Sequence, residues 1–448
     1  MINQVAPDLV NISTKEKLVS QSSQQYCQKL NFLFLTTDKY PSERADVVDL
    51  FVEEMVQRGH VIDWIQQSKL ECIKPYRQKL GAGTVWVAPT DLGMSRIARL
   101  KKHLYALQND LNMFSLARSN GYDFIQVMDR FLPAIMAIAV AKLNKTKFIF
   151  WLSFPFPEAY VYMAKEGLAR YPSFYLIRGW FFKWILYKVI LPAAYHIFVQ
   201  SEQMKRDMFD MGISEEKITS VPMGVSLSKI PVTGMEESEE LLDKNTNSVV
   251  YLGDLGKLRR IDFLLRVFKN ILQEIPEAKL YLVGAAEDKQ DIKKLLGEAD
   301  QLGVKKSIEI TGWLPKEEAW KYVYNAGVCV SPIEPTPIFK PSSPTKLIEY
   351  MALGKAVVAN DLPDQWKVVT ESGGGLCVAY EEKAFSQAVI NLLKTPEMAL
   401  EMGKKGRIYV EKHRSYKILA DLVEQQYFRI CKKRGNSSST EFKPSNDI

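Results

Sequence analysis

The stretch SSPTKLIEYMALGKAVVAND, residues 342–361, carries the strongest structural signal in the sequence. It opens with a small polar turn around Pro344. Residues 346–353 then have the pattern of a helix that Gly354 ends, and an apolar strand follows from Ala356. A helix that begins in a polar turn offers free backbone N–H groups, and Lys346 adds a positive charge beside them. The stretch therefore predicts a phosphate site at a helix start.

Glu349 lies three residues after Lys346, on the same side of the predicted helix. A carboxylate in this position can accept hydrogen bonds from the two hydroxyls of a ribose while the helix start holds phosphates. A plainer interpretation fits the local pattern equally well. In it, a serine or threonine caps the helix and Lys346 forms an ion pair with Glu349. The local pattern leaves both interpretations open.

On both sides of this stretch, apolar runs alternate with helical patterns. In the first half the runs lie at 31–37, 61–65, 123–128, 147–152 and 196–200. A polar segment with Pro231 and Gly234 interrupts the pattern, which restarts with runs at 248–252, 279–283, 308–310, 327–330 and 356–359. The alternation predicts an α/β fold with two parallel sheets, each covered on both faces. Two such domains facing each other form a cleft at the carboxyl ends of their strands, where ligands bind.

Composition narrows the class of protein. The 448 residues are 47% hydrophobic and 25% charged, which is typical of a soluble protein of two to three domains. A disulfide framework and a zinc site are disfavoured because the cysteines have no short paired spacing, and a reducing cytoplasm is favoured. These cysteines are Cys27, Cys72, Cys329, Cys377 and Cys431. The net charge of +7 suits an enzyme that handles phosphates, an acidic membrane surface or nucleic acid.

Residues 174–199, FYLIRGWFFKWILYKVILPAAYHIFV, are very apolar and aromatic. A membrane-spanning helix needs about 20 largely uncharged residues, and Arg178, Lys183 and Lys188 interrupt this one. The three charges are predicted on three different sides of the helix. We favour a buried helix leading into a strand. The alternative is contact with a bilayer surface through the tryptophans and basic residues of the segment.

The stretch at 342–361 resembles the donor-binding signature of the large family of retaining nucleotide-sugar glycosyltransferases called family 4 or group 1. Residues 343–358 follow the subgroup pattern S-P-T-K-L-x-E-Y-M-A-x-G-K-x-V-V. The family has two Rossmann-like domains, an arrangement called GT-B. The resemblance implies that the turn and helix start hold the donor diphosphate, and that Glu349 binds the ribose. Weaker matches cover most of residues 31–427.

Two of the weaker matches add expected donor contacts. Residues 251–268, YLGDLGKLRRIDFLLRVF, resemble a strand and a loop that faces the phosphates. Arg259 matches the usual basic residue there, whereas Asp254 stands where many members have Arg, so Lys257 or Arg260 is the expected substitute. Residues 308–320, IEITGWLPKEEAW, resemble the loop beside the nucleotide base, where Trp313 packs near the base or, alternatively, in the core. The expected donor-binding residues are Gly253, Lys257, Arg259, Gly312, Trp313, Ser343, Thr345, Lys346, Leu347 and Glu349. Arg259, Lys346 and Glu349 are the expected catalytic residues.

The sequence also departs from the family pattern. Pro341 stands where many members have a glutamate that touches the donor sugar, and Glu334, before the insertion PTPIFKP at 335–341, is the candidate replacement. The loop after the first strand, at 36–46, has no glycine, so Arg44 or Lys39 is the candidate contact there. The expected contacts to the reacting sugar or acceptor are Arg44, Asp129, Arg130, Glu158 and Glu334.

The domain boundaries follow from the pattern and the resemblance together. Residues 1–30 form a polar tail without the basic start and apolar run of a signal peptide. Residues 31–224 form the acceptor-side Rossmann-like domain, 225–247 the linker and 248–412 the donor-binding Rossmann-like domain. Residues 413–432 form a helix that packs back on the first domain, and 433–448 a disordered tail.

The resemblance implies sugar transfer from a nucleoside diphosphate sugar to a saccharide or lipid-linked saccharide, with retention, in polysaccharide or glycoconjugate biosynthesis. We expect no nucleic-acid partner and no cofactor besides the donor. We also expect no metal, because no closely spaced Asp pair follows a strand. The expected location is cytoplasmic, with peripheral contact at the inner membrane face as the alternative. The alternatives are a transferase-like binding subunit without catalysis and a nucleotide-sugar epimerase. A dehydrogenase is disfavoured because no G-x-G-x-x-G follows a strand.

Overall fold

The structure is a computed structural model that describes residues 29–93, 95–230 and 247–432. Nearly all of the predicted N-terminal tail, most of the predicted linker and the whole predicted C-terminal tail lie outside these residues, as does Cys27. Two largely parallel sheets account for the strands that are described. The prediction of an α/β fold with two Rossmann-like domains is confirmed.

The first domain contains an eight-stranded sheet within the described residues, in the order β3-β4-β2-β1-β5-β6-β7-β8. All neighbouring strands are parallel except the β3–β4 hairpin. The central strands are apolar along their whole length because helices cover both faces of the sheet. The strands are β1 (Asn31–Thr36), β2 (Val61–Gln67), β3 (Tyr76–Leu80), β4 (Gly83–Ala88), β5 (Phe124–Met128), β6 (Lys147–Leu152), β7 (His196–Val199) and β8 (Ile218–Ser220).

The helices of the first domain connect these strands. The first, α1, begins as Ala45–Val47 and continues as a π-helical segment, Val48–Met55. The others are α2 (Arg96–Asp110), α3 (Asn112–Asn120), α4 (Phe131–Leu143), α5 (Phe156–Lys165), α6 (Pro172–Ile185) and α7 (Glu202–Asp210). Helix α6 runs on through a π-helical turn, Leu186–Ile190, and a last turn, Leu191–Ala193.

The second domain contains a six-stranded sheet within the described residues, in the order β11-β10-β9-β12-β13-β14. Its strands are β9 (Ser248–Leu252), β10 (Lys279–Val283), β11 (Ile308–Gly312), β12 (Val328–Ser331), β13 (Val357–Asn360) and β14 (Gly375–Val378). Its helices are α8 (Ile261–Glu274), α9 (Lys289–Gln301), α10 (Lys316–Tyr324), α11 (Thr345–Ala352), α12 (Pro363–Ser372), α13 (Glu382–Lys394) and α14 (Pro396–His413).

The last helix, α15 (Tyr416–Lys432), crosses back to the first domain. Its apolar side chains, among them Leu419 and Val423, belong to the same buried cluster as the side chains of β1 and β2. Polar contacts support this packing, since Arg58 pairs with Asp421 at 2.5 Å and the Tyr427 hydroxyl donates to Gln126. The crossing helix ties the two domains together behind the cleft.

Our preferred interpretation of residues 174–199 is wrong for its first part. The π-helical turn and β7 are largely buried, but α6 exposes an apolar face to solvent. Arg178 and Lys183 do not interrupt that face because both contact residues of α5, whereas Lys188 is exposed beyond the end of α6. Arg178 stacks on Tyr160 with its guanidinium 4.4 Å from the ring centre, and Lys183 lies 3.6 Å from Glu158. None of the helices in the described residues has the length and apolar character to cross a bilayer.

Candidate functional site

A cleft of about 340 Å³ opens between the two domains at the carboxyl ends of β9 and β12. Its floor is formed by the segment from Ser342 to the first turn of α11, and one side by the loop that follows β9. The first domain contributes Phe154 and Gln200 to its lining. Both sheets are open and parallel here, so this is the edge where ligands bind in such folds.

The first turn of α11 faces the cleft without a side-chain cap. Pro344 occupies the cap position, and no side chain accepts from the backbone there. The first N–H groups of a helix have no partner within the helix, so those of Thr345, Lys346 and Leu347 remain available. The interpretation of this segment as a capped helix is therefore wrong.

Lys346 brings a positive charge to the same point. Its Nζ lies 3.7 Å from the ring centre of Tyr251. Among the described residues, no carboxylate lies within ion-pair distance of this ammonium group. Burial lowers the pKa of Lys346 well below its usual value, and the nearby Arg259 guanidinium lowers it further. A desolvated cation without a counter-charge gains more than a solvated one from an arriving anion.

Glu349 is buried one turn further along α11, with 8% of its surface exposed. Its partner is Lys316, whose Nζ lies 3.2 Å from Oε1, and not Lys346. The ion pair in the plainer interpretation is thus also wrong. Burial raises the pKa of Glu349, whereas the Lys316 charge lowers it. Sequence reasoning missed Lys316, and its only signal was its position in the resembling segment at 308–320.

Glycines lie at the ends of β9, β10 and β11, and two of them, Gly253 and Gly284, allow close contacts that a side chain would block. A Cβ atom on Gly253 would lie 3.1 Å from the Lys346 Nζ, and one on Gly284 would lie 1.9 Å from the Gly253 carbonyl oxygen. Gly312 has a φ of +75° and bridges to Gly284. The next residue, Trp313, is 74% exposed, so core packing of this side chain is wrong. An exposed indole thus lies at the same sheet edge.

The loop after β9 supplies Arg259 to the cleft, but not the other two basic residues of the loop, Lys257 and Arg260. Arg259 lines the cleft, with its Nε 3.4 Å from Asp254 and its guanidinium 5.1 Å from the Phe339 ring centre. Arg260 instead pairs with Asp262 at 3.0 Å and with Glu334 at 2.8 Å. Lys257 points into a second cavity of about 390 Å³ on the other side of the loop.

Two expected donor-binding residues have their side chains engaged elsewhere. The Ser343 hydroxyl accepts from the Met223 N–H at 3.0 Å and donates to Asp364 at 2.7 Å, which joins the two domains. The Leu347 side chain is fully buried in the core of the second domain. Leu347 can therefore offer only its backbone N–H to a ligand.

On the first-domain side, the structure brings Arg44 and Asp129 together. The guanidinium donates to Asp129 at 3.1 Å and to Asp46 at 2.6 Å. Asp129 also accepts from the Ser153 N–H at 2.8 Å and from its hydroxyl. Burial raises the pKa of Asp129, and the Arg44 charge opposes that rise. Arg44 and Asp129 therefore already have partners within the protein.

The remaining expected sugar contacts are also paired. Arg130 makes two hydrogen bonds to Asp110, at 2.8 and 2.7 Å. Glu158 lies in a separate cavity of about 270 Å³, near Lys183. The carbonyl of Pro341 accepts from the Ser201 hydroxyl at 2.6 Å, which holds the insertion against the first domain.

Among the described residues, there is no group of three or more His, Cys, Asp or Glu side chains that could hold a metal ion.

Two family models match the chain. The model "Glycosyl transferases group 1" matches residues 235–409, and "Glycosyltransferase Family 4" matches residues 45–229. The chain belongs to this glycosyltransferase family. An uncharacterized glycosyltransferase from Haemophilus influenzae is 25% identical over 189 residues, which cover 40% of this chain and 51% of that relative. The chain spans about half the length of the curated relatives it matches.

Solved structures share the fold of this family member. Sucrose-phosphate synthase from Thermosynechococcus elongatus superposes with a TM-score of 0.69 at 16% identity, covering 90% of this chain and 100% of that one. The Anabaena protein HepE, solved in complex with UDP and glucose, superposes with a TM-score of 0.64 at 11% identity, covering 89% and 100%. At these identities the likeness concerns the fold, which is GT-B.

Proposed function

We propose that the protein transfers a sugar from a nucleoside diphosphate sugar to a saccharide or lipid-linked saccharide acceptor, with retention and without a metal. The observation that carries this proposal is the uncapped start of α11 with Lys346 and Arg259 in one cleft. The backbone N–H donors of this turn and the two cations face the same cleft. The complexes of HepE with UDP and with UDP-glucose support a nucleotide-sugar donor.

Sugar transfer breaks the bond between the anomeric carbon and a diphosphate oxygen. A bond to an acceptor hydroxyl oxygen forms, and the proton of that hydroxyl passes to the diphosphate oxygen that leaves. Negative charge grows on the diphosphate as it leaves. Backbone N–H groups and fixed cations that point at this charge lower the barrier by about 3 kcal/mol for each strong contact. Lys346, Arg259 and the first turn of α11 would supply this stabilisation.

Glu349 and the loop after β11 would bind the nucleoside. The buried carboxylate can accept from both ribose hydroxyls, which gives hydrogen bonds to a charged group. Gly312 permits a base to approach the backbone, and the exposed Trp313 offers an aromatic face beside it. This division assigns the phosphates to one end of α11 and the ribose to the next turn.

A panel of nucleoside diphosphates and their sugars tests the donor assignment. A ligand at about a hundred times its Kd stabilises the folded state by about 2.7 kcal/mol, which raises the melting temperature measurably. We expect one base to stand out, followed by slow donor hydrolysis and by transfer once an acceptor is supplied. The anomeric configuration of the product, read by NMR, tests retention. No stabilisation by any nucleotide would refute the proposal.

The apolar face of α6 supports contact with an anionic membrane surface. The face comprises the exposed side chains of Phe174, Ile177, Trp180, Phe181 and Trp184. Aromatic side chains of this kind are favoured at the interface between lipid and water. Exposed basic residues at 165, 170 and 188 flank the face and would meet anionic headgroups.

Flotation with vesicles of phosphatidylcholine and phosphatidylglycerol tests this contact. The variant Trp180→Gln/Trp184→Gln should lose most of the bound fraction. Trp366→Gln, which removes an exposed tryptophan from α12 in the other domain, should float like the unmodified protein. Absence of flotation at low salt, or equal flotation of all three proteins, would refute membrane contact.

One observation favours a second candidate, a transferase-like binding subunit without catalysis. No carboxylate stands at Pro341, and Glu334 is held by Arg260 at 2.8 Å. The sugar of the donor would then lack an acidic contact from this segment. Tight binding of a nucleoside diphosphate with neither hydrolysis nor transfer of its sugar would identify such a subunit, whereas turnover would exclude it.

A further inference from the structure

Tyr251, near the end of β9, lies between the core of the second domain and the cleft. Its side chain is fully buried and belongs to the same apolar cluster as Leu264 and Val330. It also lines the cleft, where the Lys346 Nζ lies 3.7 Å from the centre of its ring. This distance is well inside the range of about 6 Å in which a ring face attracts a cation. The ammonium group of Lys346 therefore rests on the ring of Tyr251.

The residues around this contact leave room for it and fix both of its partners. Gly253 passes beside the ammonium group, where a Cβ atom would lie 3.1 Å from the Lys346 Nζ and 3.7 Å from the Tyr251 hydroxyl oxygen. The Tyr350 hydroxyl accepts from the Leu252 N–H at 2.6 Å, which attaches α11 to the end of β9. The strand that carries Tyr251 and the helix that carries Lys346 are thus held together at the contact.

The hydroxyl of Tyr251 extends the arrangement to the second cation of the cleft. It donates to the Asp254 carbonyl at 3.1 Å. The Asp254 carboxylate accepts from the Gly256 N–H at 3.0 Å and lies 3.4 Å from the Arg259 Nε. One side chain therefore contacts Lys346 with its ring and supports the loop of Arg259 with its hydroxyl.

An aromatic ring holds a cation in a different way from a carboxylate. The face of the ring attracts the cation through its quadrupole and carries no net charge. A carboxylate would neutralise the ammonium group, and an arriving diphosphate would have to displace it. Lys346, which has no such counter-charge among the described residues, keeps its full charge while the ring fixes its position. The cation is thus oriented before the diphosphate arrives, which is the condition for electrostatic catalysis.

We propose that Tyr251 is a positioning residue of the transferase. Its ring holds the Lys346 ammonium group where the donor diphosphate leaves, and its hydroxyl supports the loop that carries Arg259. The inference rests on the proposed transferase function and gives Tyr251 no contact with the reacting atoms. A lysine side chain has a flexible four-carbon stem, so an ammonium group without a fixed position is less well placed for the leaving charge. Loss of the ring should therefore lower kcat/KM through Lys346.

Two aromatic replacements at position 251 test the role of the ring face. Phenylalanine and trifluorophenylalanine have nearly the same shape, but fluorination removes the negative face of the ring. Tyr251→Phe should keep kcat/KM within about threefold, because it loses one hydrogen bond. Trifluorophenylalanine at the same position should lower kcat/KM by about a further tenfold, which corresponds to about 1.4 kcal/mol. Equal kcat/KM of these two proteins would overturn the inference.

A double-mutant cycle tests whether Tyr251 acts through Lys346. Tyr251→Met should lower kcat/KM by about tenfold in the unmodified protein and by less than about twofold in Lys346→Ala, where the charge is already gone. Tyr281→Met removes another buried tyrosine, on β10, and should lower stability in denaturant without lowering kcat/KM. An equal loss from Tyr251→Met in both backgrounds would show that Tyr251 has only a structural role.

The same measurements separate a failure of the inference from a failure of the transferase function. The donor is the nucleoside diphosphate sugar that the thermal-shift panel selects. If the unmodified protein binds no nucleoside diphosphate and turns over none of the sugars, the transferase function is refuted. If Lys346→Ala lowers kcat/KM but trifluorophenylalanine at position 251 behaves like Tyr251→Phe, only the positioning role of Tyr251 is overturned. The two aromatic replacements preserve the buried ring, so this comparison does not depend on the folding of Tyr251→Met.

Discussion

Lys346 on the second-domain side of the cleft and two arginines on the first-domain side, Arg44 and Arg130, differ in how their charges are paired. On the second-domain side, Lys346 has no carboxylate within ion-pair distance among the described residues, and the first turn of α11 has no cap. On the first-domain side, Arg44 and Asp129 hold each other, and Arg130 makes two hydrogen bonds to Asp110. These paired charges of the first domain support its structure.

Whether a charged group already has a partner indicates whether it is available to a ligand or supports the structure. A charged group that is already paired gains little from an arriving ligand, because the existing bond must be broken first. An unpaired, partly desolvated group gains the full interaction. Substitution of Lys346 should therefore change binding and rate, whereas substitution of Arg130 should change stability.

The largest effect is expected at Lys346. Lys346→Ala should lower kcat/KM by roughly a hundredfold, because it removes a fixed cation from the leaving diphosphate. Lys367→Ala on α12, an exposed lysine, should leave kcat/KM unchanged. Steady-state kinetics with the cognate donor measure both variants. Normal turnover by Lys346→Ala would remove the distinction between the two sides.

A large loss of stability, without a loss of nucleotide binding, is expected at Arg130. Arg130→Met leaves the Asp110 carboxylate, with 4% of its side chain exposed, buried without its partner. The free energy of unfolding should fall by about 3 kcal/mol, while the affinity for a nucleoside diphosphate stays unchanged. Denaturant titration beside Arg118→Met, an exposed arginine of α3, gives the comparison. A loss of nucleotide affinity without a loss of stability would make Arg130 a ligand contact.

The affinity for the nucleoside diphosphate should fall at low pH, which we call the acid limb, and again at high pH, the alkaline limb. Burial raises the pKa of Glu349, so the carboxylate takes up a proton as pH falls, and the affinity for the ribose should fall by about tenfold. The pKa of Lys346 is lowered, so this charge is lost as pH rises, and the affinity for the diphosphate falls there. Asp49 also raises the pKa of Glu349, and Lys316 and Lys346 lower it.

Two comparisons isolate the acid limb. Lys316→Met removes a charge that lowers the Glu349 pKa, so the loss of affinity should begin at a higher pH. A 2′,3′-dideoxynucleoside diphosphate lacks the hydroxyls, so its acid limb should come only from protonation of its own terminal phosphate and should not shift in Lys316→Met. An equal shift of the acid limb with the dideoxy ligand would show that Glu349 does not bind the ribose.

The smallest effect is expected at Ser343. Ser343→Ala removes a hydroxyl that joins Met223 to Asp364, so the free energy of unfolding should fall by about 1 kcal/mol. Nucleoside diphosphate affinity should stay the same because this hydroxyl is already engaged. Denaturant titration and calorimetry on the same sample separate the two quantities. A tenfold loss of nucleoside diphosphate affinity would show that the Ser343 hydroxyl binds the donor.

The sequence predicted most of the fold because the central strands are apolar runs. It did not predict β3, whose residues YRQKL are polar and mostly exposed at the edge of the sheet. It also gave no sign that Arg178 and Lys183 point inward, since their stacking and pairing partners, Tyr160 and Glu158, lie on another helix.

The donor wall was partly predictable because residues 342–361 contain the helix start, Lys346 and Glu349 in a continuous segment. The partners of these residues were not predictable. Ser343 is engaged by Met223, which is 120 residues away, and Glu349 is paired with Lys316 on a different helix. Local patterns indicate which groups are present, whereas the tertiary fold decides which of them stay unpaired for a ligand.

Amide hydrogen exchange at residues 345–347 tests the central claim most directly. The N–H groups of the first turn of α11 are available in the free protein. Saturation with the nucleoside diphosphate that stabilises the protein most should slow their exchange, because the diphosphate oxygens accept from them. Unchanged exchange at these three amides in the saturated protein, with protection at residues 38–44 instead, would contradict the account.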